Sequence, residues 1–308
     1  MVRGDASGAP AVVFSFLAMN MDIQPKRTGL SFEIFPPKRT ASVASIYCAL
    51  ADLRKLSPDF ISVTYGAGGS NQGRQTLEIV NAVRNHYDMT AVAHMPCISM
   101  TRDEAARQLA DFRQAGVDRV LALRGDLPAD GSIPAGDFSH ASDLVSFIRG
   151  LEGFENFRIY AACYPERHPD SPDWEADIRH LKLKVDAGVD GLITQLFFTN
   201  SLFYEFMDRI RSAGIDVPVE AGIMPVINSR QIERMVQLCK ASLPEKFCCV
   251  MEKYRDNPEA MFQIGCAYAV DQIIDLAAHG VDGIHLYTMN NPLVAARIHE
   301  SVRAVLGR

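Results

Sequence analysis

Six side chains able to do chemistry stand at or near the C-terminal ends of short apolar runs. They are Glu33 in LSFEIFPP (30–37), Thr64 in FISVTYGAGG (60–69), His94 in TAVAHMPC (90–97), Asp126 closing RVLALRGD (119–126), Tyr164 in FRIYAACYP (157–165) and Gln195 in GLITQLFF (191–198). A carboxyl, an imidazole, a phenol and an amide together offer proton transfer and hydrogen-bond recognition. Glu33 lies between Phe32 and Ile34, with a Pro-Pro stop three residues on. Partial desolvation there would raise its pKa and suit a proton donor near neutral pH, although the same setting suits a structural glutamate paired with an arginine. Asp126 follows Arg124 and Gly125, where glycine allows close backbone approach; the carboxylate can face a bound heterocycle or merely cap the next turn. Gln195, in an otherwise apolar run, must find partners if buried, because an unpaired amide costs about 1–3 kcal/mol. Its donors and acceptors fit a pterin or another amide-like ring. His94 reads equally as a packing residue or a ligand.

The densest segment is YPERHPDSPDWEADIRHLKLKVDAG (164–188). At helical spacing, Trp174, Ile178, Leu181 and Val185 form one apolar face. Asp173, Asp177, His180 and Lys184 line one flank, and Glu175, Arg179, Lys182 and Asp186 line the other. Either flank can be solvated; an acid, an imidazole and an ammonium in a row can also hold the hydroxyls and phosphates of a nucleotide.

Scattered residues share a site only if the fold gathers them. Two further apolar runs, VPVEAGIMP (217–225) and GIHLYTMN (283–290), complete a set of eight. Helical patterns alternate with the runs at 40–56, 71–87, 101–115, 141–151, 174–187, 200–213, 229–241, 258–279 and 292–306. That rhythm predicts an α/β protein built as a (β/α)8 TIM barrel with extra helices, in which the strand ends converge on one mouth. AGVD at 115–118 and 187–190, echoed by HGVDG at 279–283, supplies helix stops at Gly116, Gly188 and Gly280. The stretch 126–140, rich in Gly, Pro, Asp and Ser, is a candidate loop over the mouth. GAGGSN (66–71) lacks the third glycine of a dinucleotide fingerprint and reads as a tight turn, with amides that can still touch an anion.

A chain of 308 residues, 48% hydrophobic, has room for one barrel plus extensions. Residues 29–308 are expected to form a single barrel domain and 1–28 a flexible extension, with Met19 or Met21 as alternative starts. The apolar stretch 11–19 is too short to span a membrane. A net charge of −6 without Lys/Arg runs argues against a nucleic-acid partner. Seven cysteines without a C-x-x-C pair indicate neither a disulfide framework nor a zinc site, so no metal is expected and a reducing cytoplasm is the simplest setting.

Taken in order, SFEIFPPK, SVTYGAGGS, ALRGDLP, YPERHP with the helix through Lys184, ITQLFF, GIMPV and HLYTMN resemble methylenetetrahydrofolate reductases from about residue 29 onward. The resemblance implies a barrel that binds FAD noncovalently at its mouth and reduces 5,10-methylenetetrahydrofolate to 5-methyltetrahydrofolate with NADH or NADPH, by a ping-pong route. It assigns Glu33 as the acid that protonates the leaving nitrogen and Asp126 as the group that tunes the flavin and orients the folate. Thr64, Asp126 and Gln195 would contact substrate. Tyr65, Ala67, His94, Arg124, Gly125 and Asp126 would contact FAD from the first half of the chain. His140, Ala141, Tyr164, His168, Asp177, His180 and Lys184 would do so from the second. Four positions depart from the family pattern: His140 for a tyrosine, His180 for an asparagine, Ser229 for an aromatic and Asn291 for an arginine. The last two bear on the grip on nicotinamide and the folate tail. The resemblance also implies small-molecule partners, no membrane and a homo-oligomer. Fold alone leaves open a flavin-free pterin-dependent methyltransferase; a storage protein without turnover is disfavoured by Glu33 and Asp126.

Overall fold

A computed structural model describes residues 27–37, 43–65, 70–126, 135–228, 236 and 239–308. Each apolar run forms a strand: β1 (Gly29–Ile34), β2 (Phe60–Val63), β3 (Ala91–Pro96), β4 (Arg119–Leu123), β5 (Arg158–Cys163), β6 (Gly191–Thr194), β7 (Val219–Ile223) and β8 (Gly283–Tyr287). The strands pair in sequence order and all in parallel, and β8 returns to β1 to close the barrel. At that seam Ser31 pairs with His285 and Glu33 with Tyr287. Parallel strands need crossovers, and helices supply them: α1 (Val43–Arg54), α2 (Ser70–Asn81), α3 (Arg102–Gln114), α4 (Ala141–Arg149), α5 (Trp174–Asp186), α6 (Asn200–Ser212), α7 (Glu245–Lys253), α8 (Pro258–Ala278) and α9 (Pro292–Val302).

Local chemistry sets several helix ends. Thr101 and Glu104 form a reciprocal box at the start of α3, the threonine hydroxyl accepting from Glu104 N–H at 3.2 Å and the carboxylate from Thr101 N–H at 2.9 Å. Asp173 caps α5 by accepting from Ala176 N–H at 2.7 Å. Gly116 and Gly188 have φ of +74° and +118°, the left-handed stops that AGVD predicts.

Two features depart from the sequence reading. The helix expected over 71–87 turns into a π-helical stretch at Ala82–His86, where Tyr87 N–H donates to Ala82 O at 3.0 Å. The wider turn points Tyr87 inward, and its hydroxyl donates to Tyr47 O at 2.7 Å. Helix α7 is absent from the sequence reading, because its nine residues are shorter than the window over which helical periodicity is read. The helix expected at 229–241 falls mostly outside the described residues, as do Ala67, Ser229 and residues 1–26. No described helix is long and apolar enough to cross a membrane.

Alternation along each strand sends one set of side chains outward against the helices and the other into the barrel. Phe32 and Ile34 join the outer core, while Phe60, Val92, Leu121 and Ile193 pack together within the barrel beside Leu123 and Tyr160. The interior is divided. The sector lined by β7, β8 and β1 carries Glu220, His285, Ser31 and Glu33 in place of apolar residues.

Candidate active site

The strand ends open on a cavity of about 1370 Å³, larger than the roughly 300–1,000 Å³ of a pocket for one drug-sized ligand. Glu33, Thr64, His94, Asp126, Tyr164 and Gln195 all line it, so the six strand-end residues share one site. Tyr65, Arg124, Gly125, His140, Ala141, His168, Asp177, His180 and Lys184 line it as well. Ala67 is the one site residue outside the described part of the chain.

At the floor, Glu33 Oε2 stands 3.5 Å from His94 Nε2 and 3.9 Å from His285 Nε2. Among the described residues, the ion-pair partners of this carboxyl are imidazoles and not an arginine. Burial lowers the His94 pKa to about 4, outweighing the attraction of Glu33, so the ring is uncharged near neutral pH. His94 Nε2 and Gln108 Nε2 are buried with no hydrogen-bond partner among the described residues, and both residues line the cavity. Each orphan costs about 1–3 kcal/mol, which a ligand offering a polar atom would recover.

One wall is built by the end of β4. Gly125 has φ of +91°, and a Cβ there would meet Pro96 Cβ at 3.0 Å, so the chain turns closely past the cavity only with glycine. Arg124 beside it is paired with Asp170 at 2.9 Å, and Asp126 is exposed at the rim.

The adjoining wall is α5 and the loop before it. Asp177 is buried and accepts from Ser171 Oγ at 2.7 Å and His168 N–H at 3.3 Å. Lys184 donates from Nζ to Ala162 O at 2.7 Å, and burial lowers its pKa. The Tyr164 and His168 rings meet edge to face at 4.5 Å. Burial pushes the Tyr164 phenol up to about 12 and lowers His168. The flank bearing Asp177, His180 and Lys184 therefore faces the cavity. The other flank is solvated and paired within itself, Lys182 with Asp186 and Arg179 with Glu175. Asp173, read with the cavity flank, serves as the helix cap.

At α4, His140 is exposed, and Asp143 accepts from the N–H groups of Ser139 and His140 at 2.9 and 2.8 Å. Gln195 Oε1 accepts from Leu196 N–H at 2.9 Å, which leaves its amide nitrogen to donate. Asn291 is committed to capping α9, accepting from Leu293 and Val294 N–H at 3.1 and 3.4 Å.

Sequence reasoning missed Gln108, Tyr287 and the interior pair Ser31 and His285. The last two occupy positions two residues from Glu33 and Tyr287 on their strands, so polar residues in phase with a site residue were the available signal.

A closed parallel barrel with a large cavity at its strand ends is the architecture of a (β/α)8-barrel enzyme. The chain belongs to the methylenetetrahydrofolate reductase family, an oxidoreductase family whose model matches residues 18–303. It is similar to the 5,10-methylenetetrahydrofolate reductase of Escherichia coli strain K12, at 35% identity over 85% of this chain and 86% of that protein. Methylenetetrahydrofolate reductase (NADH) 1 of Arabidopsis thaliana is 37% identical over 86% of this chain but 46% of its own length, so the chain spans about half of the plant relative. Among solved structures, a Clostridium thermocellum protein that binds two copies of 5-methyl-5,6,7,8-tetrahydrofolic acid shares the fold, with a TM-score of 0.59 at 13% identity over 91% of this chain and 96% of that one.

Proposed function

We propose that this protein reduces 5,10-methylenetetrahydrofolate to 5-methyltetrahydrofolate in the cytoplasm, with NADH or NADPH as hydride donor and noncovalently bound FAD as carrier. The observation that carries the reading is the meeting, in one cavity, of Glu33 beside an uncharged His94 with Asp126 at the rim. Seven unpaired cysteines agree with a reducing compartment.

The donor set fits a flavin dinucleotide. Two orphaned buried nitrogens, a glycine that admits close approach and an ammonium on the wall are groups that a heterocycle and a diphosphate would satisfy. Arg124, Gly125, Tyr164, His168, Asp177, His180 and Lys184 would hold it, with Tyr65, His94, His140 and Ala141 completing the cradle. When bound, FAD would supply two-electron hydride chemistry between the nicotinamide and the folate.

The chain's own residues do the rest. Glu33 Oε2 gives a proton to the leaving nitrogen as the five-membered folate ring opens to an iminium. Burial keeps His94 neutral, so its ring holds no extra proton to give the leaving nitrogen. Asp126 accepts from the pterin and orients it, Thr64 lies beside Glu33 at the end of the next strand, and the Gln195 amide donates to the folate.

Glu33→Gln tests the assignment in anaerobic stopped flow. Flavin reduction by NADH or NADPH should persist, and reoxidation by methylenetetrahydrofolate should fall by about 100-fold or more, the usual worth of a general acid. Unimpaired reoxidation would remove Glu33 from the chemistry.

A further inference from the structure

Beneath Glu33, on the side away from the cavity, a chain of polar groups runs down the barrel. Ser31 Oγ lies 2.5 Å from Glu220 Oε2 and 2.6 Å from His285 Nδ1. Nε2 of the same ring lies 3.9 Å from Glu33 Oε2, with Ser62 Oγ at 3.3 Å. The ring is wholly buried and stacks on Phe60 at 5.8 Å. Glu220 pairs in register with Gly283, at the strands' N-terminal end, where a Cβ in place of the glycine hydrogen would meet Glu220 Cγ at 2.9 Å. Its side chain keeps 15% of its exposure. Phe60, Val92, Leu121 and Ile193 fill the neighbouring interior, so an acid here costs stability that a leucine would not.

We propose that Glu220, Ser31 and His285 form a proton path that recharges Glu33 from the far end of the barrel while ligand covers the mouth. The proposal rests on the reading that Glu33 surrenders one proton per turnover. Protonated Glu220 gives its proton to Ser31 Oγ, Ser31 passes its own to His285 Nδ1, and the proton on Nε2 crosses to Glu33 Oε2 after a small side-chain shift. One O–H bond breaks at Glu220 and one forms at Glu33; the hydroxyl and imidazole end neutral, the ring in its other tautomer. When the mouth reopens, a solvent proton taken up at Glu33 retraces the chain through His285 and Ser31 to Glu220, which restores the first tautomer, and a second solvent proton reloads Glu33. Burial lifts the Glu220 pKa to about 7 against the opposing pull of His285 and Ser31, so the carboxyl holds and releases a proton near neutrality. The charged and titratable groups acting on it are His285 and Asp282 at β8, Asp59 before β2, Tyr160 on β5 and Arg308.

Glu220→Gln in the full-length holoenzyme keeps the shape and an acceptor for Ser31. It should slow steady-state folate reduction by about tenfold near pH 6.5, where Glu220 still carries its proton, and leave flavin reduction within about twofold. The curved proton inventory of the wild type in mixed light and heavy water should become linear. Independently of turnover, the infrared carbonyl band of a protonated carboxylic acid should fade as pH rises through about 7 and be absent from Glu220→Gln. Wild-type rates, pH profile and inventory in Glu220→Gln would overturn the path and leave the role of Glu33 standing. An active Glu33→Gln would instead remove the reading beneath it. Should Glu220→Gln fail to fold, a linear inventory in the unmodified protein overturns the path and a curved one supports it.

Discussion

Exchange of Glu220 for glutamine should reshape the dependence of stability on pH, by an amount set by burial. The carboxyl moves from 4.5 in the unfolded chain to about 7 in the fold, worth about 3 kcal/mol at roughly 1.4 kcal/mol per tenfold change in proton affinity. Between those values the folded protein binds more protons than the unfolded one, so this contribution is complete below about 4.5 and is lost as pH rises to about 7. His94 works in the opposite sense. Its pKa falls from 6.5 to about 4, so the unfolded chain binds more protons, and stability is lost as pH falls from 6.5 towards 4. The windows overlap and the two slopes largely cancel in the wild type, whereas Glu220→Gln exposes the His94 slope alone. Urea unfolding followed by circular dichroism at several pH values between about 4.5 and 8 measures both. Relative to wild type, the variant should gain about 3 kcal/mol across that range. A difference that stays constant with pH would refute the claim that Glu220 takes up a proton on folding.

Two further outcomes test the cavity wall and the last helix. Lys184→Ala should weaken FAD retention, read as cofactor released on dilution, because an ammonium fixed on the wall by Ala162 O is removed; unchanged retention would place the diphosphate elsewhere. Asn291→Ala should cost about 1 kcal/mol in chemical denaturation, the usual worth of a helix cap, and leave KM for both substrates within about twofold. A large rise in KM would show that Asn291 grips substrate as well as capping its helix.

Much of this protein was legible in one dimension. Strand ends and the helix stops at Gly116 and Gly188 follow from local rules of alternation and left-handed glycine, which need only a few neighbouring residues. Eight β/α repeats leave closure as the compact outcome, and closure brings Glu33, His94, Asp126, Tyr164 and Gln195 to one mouth. The flank of α5 that meets the cavity was a different matter. Both flanks carry acids and bases at the same spacing, and only the packing of Leu181 into the core, with Trp174, Ile178 and Val185 against it, turns Asp177 and Lys184 inward. Asn291 likewise looked like a weakened substrate contact until its backbone partners showed a cap.

The interior column lay further still from sequence reasoning. Ser31 meets Glu220 across 189 positions and His285 across 254, contacts that exist because β8 returns to β1 in one register and β7 lies beside it. A shift of one residue in that seam would turn these side chains into the helical layer. Periodicity can say which residues of a strand share a face, but the distance between faces of separate strands, and hence which acids and imidazoles exchange protons, is decided only when the barrel closes.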